Sequence, residues 1–194
     1  MLKKVITLVG LASIVMAGNF EKGMEAYNRG DFLNAEKYYQ QACESGSVGA
    51  CTNLGNMYRD VENFTKSMKY AKKACDNGGG IGCFIIGQLY DQGEGVEKNI
   101  QKANTFWQLA CDKGSSLGCY NIGYSYLSGY GVMQNKNEAI KLLTKACDTG
   151  NVDGCFNTAM FYEKSRMPDK AIEFYSKGCN LGDKQACVNI GVYK

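Results

Sequence analysis

Ten cysteines carry the most regular chemical spacing in this 194-residue chain, and it has no histidine to work with them. They fall into five pairs with seven residues between partners: Cys43 and Cys51, Cys75 and Cys83, Cys111 and Cys119, Cys147 and Cys155, Cys179 and Cys187. A thiol nucleophile working through a histidine base is excluded, because that base does not exist. Structural zinc sites favour ligands two to four residues apart, often with histidine, so the spacing argues against a metal. No metal or other cofactor is expected, and no catalytic residue can be named. What remains for paired thiols depends on the compartment: a disulfide framework where it is oxidising, metal or redox roles in the cytosol.

The N-terminal stretch "MLKKVITLVGLASIVMAG" bears on the compartment. Lys3 and Lys4 precede an apolar run from Val5 to Ala17, and cleavage after Ala17 would leave Val15 and Ala17 at the positions that want small side chains. Residues 1–17 therefore read as an export signal, and the apolar run is short of the roughly 20 residues that a spanning helix needs. The expectation is an exported protein, periplasmic or secreted, with no membrane anchor after signal cleavage and with disulfides in its mature part. Removing the two lysines leaves 20 basic against 19 acidic residues. So even a balance implies no nucleic-acid partner, since phosphate binding needs a clustered positive excess.

The elements that hold the cysteines repeat with them. First cysteines at 43, 75, 111, 147 and 179 give periods of 32, 36, 36 and 32 residues, the range of stacked helical hairpins. Before each first cysteine lies an apolar stripe at helical spacing, for example Ala103, Phe106, Trp107 and Ala110, which predicts a helix A. Three residues after it stands Gly46, Gly78, Gly114, Gly150 or Gly182, fit for the left-handed residue that closes a helix. The second cysteine then opens helix B, with stripes such as Leu54, Gly55 and Tyr58 or Ile86, Gly87 and Tyr90. A glycine inside a helix costs roughly 1 kcal/mol against alanine, so its recurrence there predicts close helix approach. The longer repeats carry "GEGV" (93–96) and "GYGV" (129–132) between helix B and the next helix A. With one cysteine in the last turn of A and one in the first turn of B, each pair is expected to bridge its own hairpin.

With "AEKYYQQAC", "GEGV" and "CYNIGYSYLSG" in view, the chain resembles Sel-like repeat proteins, bacterial relatives of tetratricopeptide arrays, and more narrowly the Helicobacter cysteine-rich protein family. The resemblance implies an all-α fold: an α/α solenoid of Sel-like helix-turn-helix repeats with a disulfide in each hairpin. It also implies penicillin binding and slow β-lactamase activity, with β-lactam or peptidoglycan fragments as ligands. The residues supply no support for hydrolysis: a serine followed three places later by lysine is absent, as are Ser-Asp-Asn, Lys-Thr-Gly and any histidine. The domain plan is one array over 18–194 of about five cysteine-paired hairpins, with a helix patterned within 20–31 as a cap. A monomer is expected.

Stacked hairpins leave a groove that usually binds partners. Asn53, Asn121, Asn157 and Asn189 stand two places after a second cysteine, with Ile85 breaking the series. A ladder of carboxamides suits an extended peptide backbone, offering a donor and an acceptor each; alternatively each satisfies a loop carbonyl or helix-terminus amide in the next repeat. Tyr58, Tyr90, Tyr126 and Tyr162 read as packing between repeats rather than as a ligand platform, and Trp107 as core. Gln40, Lys72, Gln108, Thr144 and Ser176 form a polar helix A row that either lines the groove or is an ordinary solvated face. Two functions stay open: a partner-binding module, which the residues favour, and a weak β-lactam hydrolase, which rests on resemblance.

Overall fold

The computed structural model describes residues 18–191, so the expected export signal lies outside the described residues. Among the described residues the regular structure is all helical. A first helix α1 covers 18–28. It is followed by α2 (Phe32–Glu44), α3 (Val48–Asp60), α4 (Phe64–Asp76), α5 (Gly80–Gln92), α6 (Ile100–Asp112), α7 (Ser116–Ser128), α8 (Lys136–Asp148), α9 (Val152–Lys164), α10 (Pro168–Asn180) and α11 (Lys184–Gly191). Each packs on the next, and α3 touches α5 as α5 touches α7, so the helices B of the first repeats also meet one another.

The turn between the cysteines explains their spacing. Gly46, Gly78, Gly114, Gly150 and Gly182 all have positive φ, between 84° and 102°. Each glycine N–H donates to the first cysteine's carbonyl at 2.9–3.1 Å, and the next N–H reaches the carbonyl before that cysteine at 2.9–3.0 Å. This is the six-to-one and five-to-two closure that a left-handed residue permits at a helix end. The residue after the glycine then serves as N-cap of helix B: the Ser47, Ser115 and Asn151 side chains accept from Ala50, Gly118 and Gly154 N–H. One residue thus ends one helix and begins the next. Helix B accordingly starts three residues before the second cysteine, not at it as the sequence suggests.

That geometry carries both cysteines to the interface between the two helices, with Cα atoms 4.3–4.8 Å apart in all five pairs. The separation is what a disulfide demands. All ten cysteines are bonded, each pair within its own hairpin.

Close helix approach accounts for Gly87 and Gly123 among the recurrent helix B glycines. A Cβ on Gly87 would stand 2.4 Å from Trp107 Cδ1 and one on Gly123 3.1 Å from Leu143 Cγ, whereas one on Gly55 would make only ordinary contact, 3.4 Å from the Ala71 nitrogen, and one on Gly191 would meet nothing within 4 Å among the described residues. The short connections end α3 and α9 with the same helix closure but without glycine: Glu62 and Arg166 sit at φ 57°. The longer ones use Gly93 and Gly129.

The tyrosines behave as packing residues. Tyr58 stacks on Tyr70, Tyr90 on Phe106 and Tyr162 on Phe174, with ring centroids 5.5, 5.8 and 5.6 Å apart. Lys66, Lys102 and Lys170 lie over the same three tyrosine rings at 4.6–5.2 Å. Tyr58 also donates to Glu36, accepts from Gln40 Nε2 at 3.1 Å, and has its phenol pushed up to about 12, first by burial and then by the bond to Glu36. Folding therefore favours the protonated phenol. Its contribution is whole below the ordinary tyrosine value of about 10 and drains away from there to about 12, because the unfolded chain loses that proton first. Urea unfolding followed through that window should lose stability more steeply in the wild type than in Tyr58→Phe; parallel slopes would contradict the assignment.

Candidate functional site

Three clefts open at the same place in three repeats. Each is walled by helix B residues that include one of the series asparagines. The first, about 130 Å³, is lined by Tyr27, Tyr39, Asn53, Asn56 and Met57. A middle one, about 320 Å³, is lined by Gln88, Asp91, Gln92, Trp107, Asn121, Tyr124, Ser125 and Tyr130. The last, about 620 Å³, is lined by Leu127, Gln134, Lys136, Asn137, Asn157, Met160, Phe161, Lys164 and Ser165. Asn53, Asn121 and Asn157 each stand two places after a second cysteine, and Tyr39 and Trp107 each four before a first one. The repeat thus delivers a carboxamide to one wall of every cleft and an aromatic ring to two of them. In the repeat that breaks the series, Ile85 is fully buried instead.

The asparagines are not equally committed. Asn157 donates to the Asp153 carbonyl at 2.9 Å and Asn189 accepts from Gln185 at 2.9 Å, both within their own helices. Asn53 stands at the Tyr39 hydroxyl, whose proton affinity burial raises and that contact partly lowers. These three are thus engaged, but with a carbonyl or side chain of their own helix or of the preceding one, not with a loop carbonyl or helix-terminus amide of the next repeat. Asn121 differs: among the described residues its carboxamide has no protein hydrogen-bond partner.

The middle cleft is built by several elements. Arg59, paired with Glu94 at 2.6 Å, donates to Gln88 Oε1 at 3.1 Å and so fixes one wall. Tyr130, from the inserted loop, donates to Asp91 Oδ1 at 2.8 Å, which with burial raises its phenol's proton affinity. Trp107 is 5% exposed; its indole N–H is buried without an acceptor. One ring edge lies against Gly87, where a side chain would collide with it. A buried indole N–H normally finds a partner.

The polar helix A row does not open onto these clefts. Gln40 is bonded to Glu36 and Tyr58, Gln108 to Asp112, and Ser176 to the Ile172 carbonyl. Sequence reasoning missed Tyr124, Tyr130, Lys136 and Lys164 and assigned Trp107 to core alone. The available signal was departure from the repeat: Trp107 and Tyr130 are large where the matching positions vary, and Lys136 follows an insertion.

Among the described residues no group of three His, Cys, Asp or Glu side chains is placed to hold a metal, and no helix is long and apolar enough to cross a membrane. Five bridged hairpins in a stacked all-α array, with clefts between successive helices B, define a disulfide-stapled α/α repeat protein. The chain belongs to the Sel1 repeat family: the Sel1 repeat model matches 19–47, 81–115, 116–151 and 152–183, and a tetratricopeptide repeat model matches 48–77. Among solved structures it is similar to a Sel1 repeat protein from Oxalobacter formigenes, at 26% identity and TM-score 0.77, over 88% of this chain and 75% of that one. It is also similar to cysteine rich protein B of Helicobacter pylori, at 34% identity and TM-score 0.56, over 64% of this chain and 92% of that one. A third similar structure is c5321, a protective antigen of uropathogenic Escherichia coli, at 26% identity and TM-score 0.73, over 92% of this chain and 41% of that larger protein. No curated protein matches the chain.

Proposed function

We propose that this protein is an exported binding module whose row of clefts takes an extended segment of a protein partner. Five disulfides suit an oxidising, extracytoplasmic compartment, and the N-terminal segment has the pattern of an export signal. The observation that carries the reading is the unpartnered Asn121 carboxamide on the wall of the cleft that Trp107 lines. The backbone of an extended peptide offers the carboxamide the acceptor and the donor it lacks, at a site flanked by aromatic rings. Repetition of the cleft gives several weak contacts along one chain rather than one deep pocket.

Trp107 is the single tryptophan, so its emission reports on this cleft alone. Immobilised protein is panned with end-blocked random octapeptides, and the captured sequences are titrated against it. Binding should shift Trp107 emission, and Asn121→Ala should weaken it by about tenfold, the worth of one well-made hydrogen bond or slightly more. Unchanged affinity in Asn121→Ala, or binding without any tryptophan response, would overturn the reading. The β-lactam reading that the resemblance implies is tested in the same cell: nitrocefin turnover should not exceed buffer, and benzylpenicillin should not displace the peptides.

A further inference from the structure

The three clefts differ in charge. The middle one contains Asp91 and no basic side chain, whereas the last is lined by Lys136 and Lys164 and by no carboxylate. Neither lysine has a described acidic group within ion-pair distance, although Lys141 and Lys177 elsewhere do. Around them lie the carboxamides of Gln134, Asn137 and Asn157, with Phe161 and Met160 as apolar lining. Gln134 is held by its bond to the Leu127 carbonyl at 2.7 Å.

We infer that the last cleft is the specificity end of the row and binds an acidic residue inside the extended partner segment, its carboxylate at Lys136 and Lys164 and an adjacent apolar side chain on Phe161 and Met160. This rests on the peptide-binding reading above. The last cleft has the largest volume of the three and is continuous in kind with the other two, which fits a chain passing through it. Opposite charge across such a contact sets which segment is accepted and in which register more than how tightly it is held.

The probe is a fluorescein-labelled, end-blocked octapeptide alternating glutamate and leucine, with a second in which glutamine replaces every glutamate. Fluorescence anisotropy with the intact oxidised protein should show the glutamate peptide binding about tenfold more tightly, with an advantage that shrinks as salt screens the pair. Lys136→Met and Lys164→Met, which keep the apolar stems, should each weaken the glutamate peptide about fivefold and leave the glutamine peptide unchanged. Both lysines are exposed, and circular dichroism should show folded variants. Equal affinity for the two peptides overturns the inference and leaves the wider reading intact. So does tighter binding of the glutamine peptide once its C-terminus is left free, since the cleft would then be reading a chain end. If neither peptide binds while panned peptides still move Trp107 emission, the acidic assignment fails alone; if no peptide acts in either assay, both readings fall.

Discussion

Replacing Cys111 and Cys119 together by alanine is expected to lower the unfolding free energy by about 3 kcal/mol. Closing a loop of nine residues accounts for about 2.6 kcal/mol on the chain-entropy model. The rest is packing, because both sulfurs are fully buried between α6 and α7 and their loss leaves space that the helices cannot fill. Cys179 and Cys187 make the comparison. That bridge closes a loop of the same length, but Cys187 is exposed, so the same double replacement there should cost less. Five bridges together carry free energy on the scale of a whole domain's stability, about 5–15 kcal/mol. Excess dithiothreitol should accordingly unfold the array at room temperature, read by far-ultraviolet circular dichroism. Retention of full helicity after complete reduction would mean that packing alone suffices.

Gly118→Ala is expected to be about as damaging, at about 3 kcal/mol, the upper end for overpacking. A Cβ there would lie 2.5 Å from Ala110 Cβ, 2.8 Å from the Cys111 nitrogen and 2.9 Å from the Trp107 carbonyl. Two of those three atoms are backbone, and the disulfide one residue away prevents α6 and α7 from separating. Alanine's better helix propensity, worth about 1 kcal/mol, does not offset this. Gly114→Ala is the control. Its Cβ would meet nothing within 4 Å, so only the strain of φ 84° remains, about 1–2 kcal/mol. Urea midpoints should rank wild type above Gly114→Ala above Gly118→Ala, and equal costs would contradict the argument from close approach.

The hairpins were legible because their determinants are local. Gly114 at positive φ, Ser115 as the following N-cap and Cys111 eight residues before Cys119 are one short word, and backbone geometry alone makes that word a bridged turn. The start of helix B was misplaced by three residues because the double role of Ser115, closing one helix and opening the next, leaves no loop to count. The clefts were less legible. Asn121 and Asn157 were found by repetition, but a cleft's volume and charge depend on side chains from neighbouring repeats and the inserted loop. Trp107 shows the limit. At a stripe position its ring packs as core, and only the meeting of α5, α6 and α7 places it at the edge of a cleft.

The measurement that bears most directly on all of this is mass mapping of tryptic fragments from unreduced protein. Cleavage at the lysines and arginines leaves Cys43 with Cys51, Cys75 with Cys83 and Cys147 with Cys155 inside single peptides, while Lys113 and Lys184 fall between the partners of the other two pairs. The account predicts three peptides each short of two hydrogens, and two linked pairs, 103–113 with 114–136 and 178–184 with 185–194. Free thiols, or fragments joined between different hairpins, would contradict it.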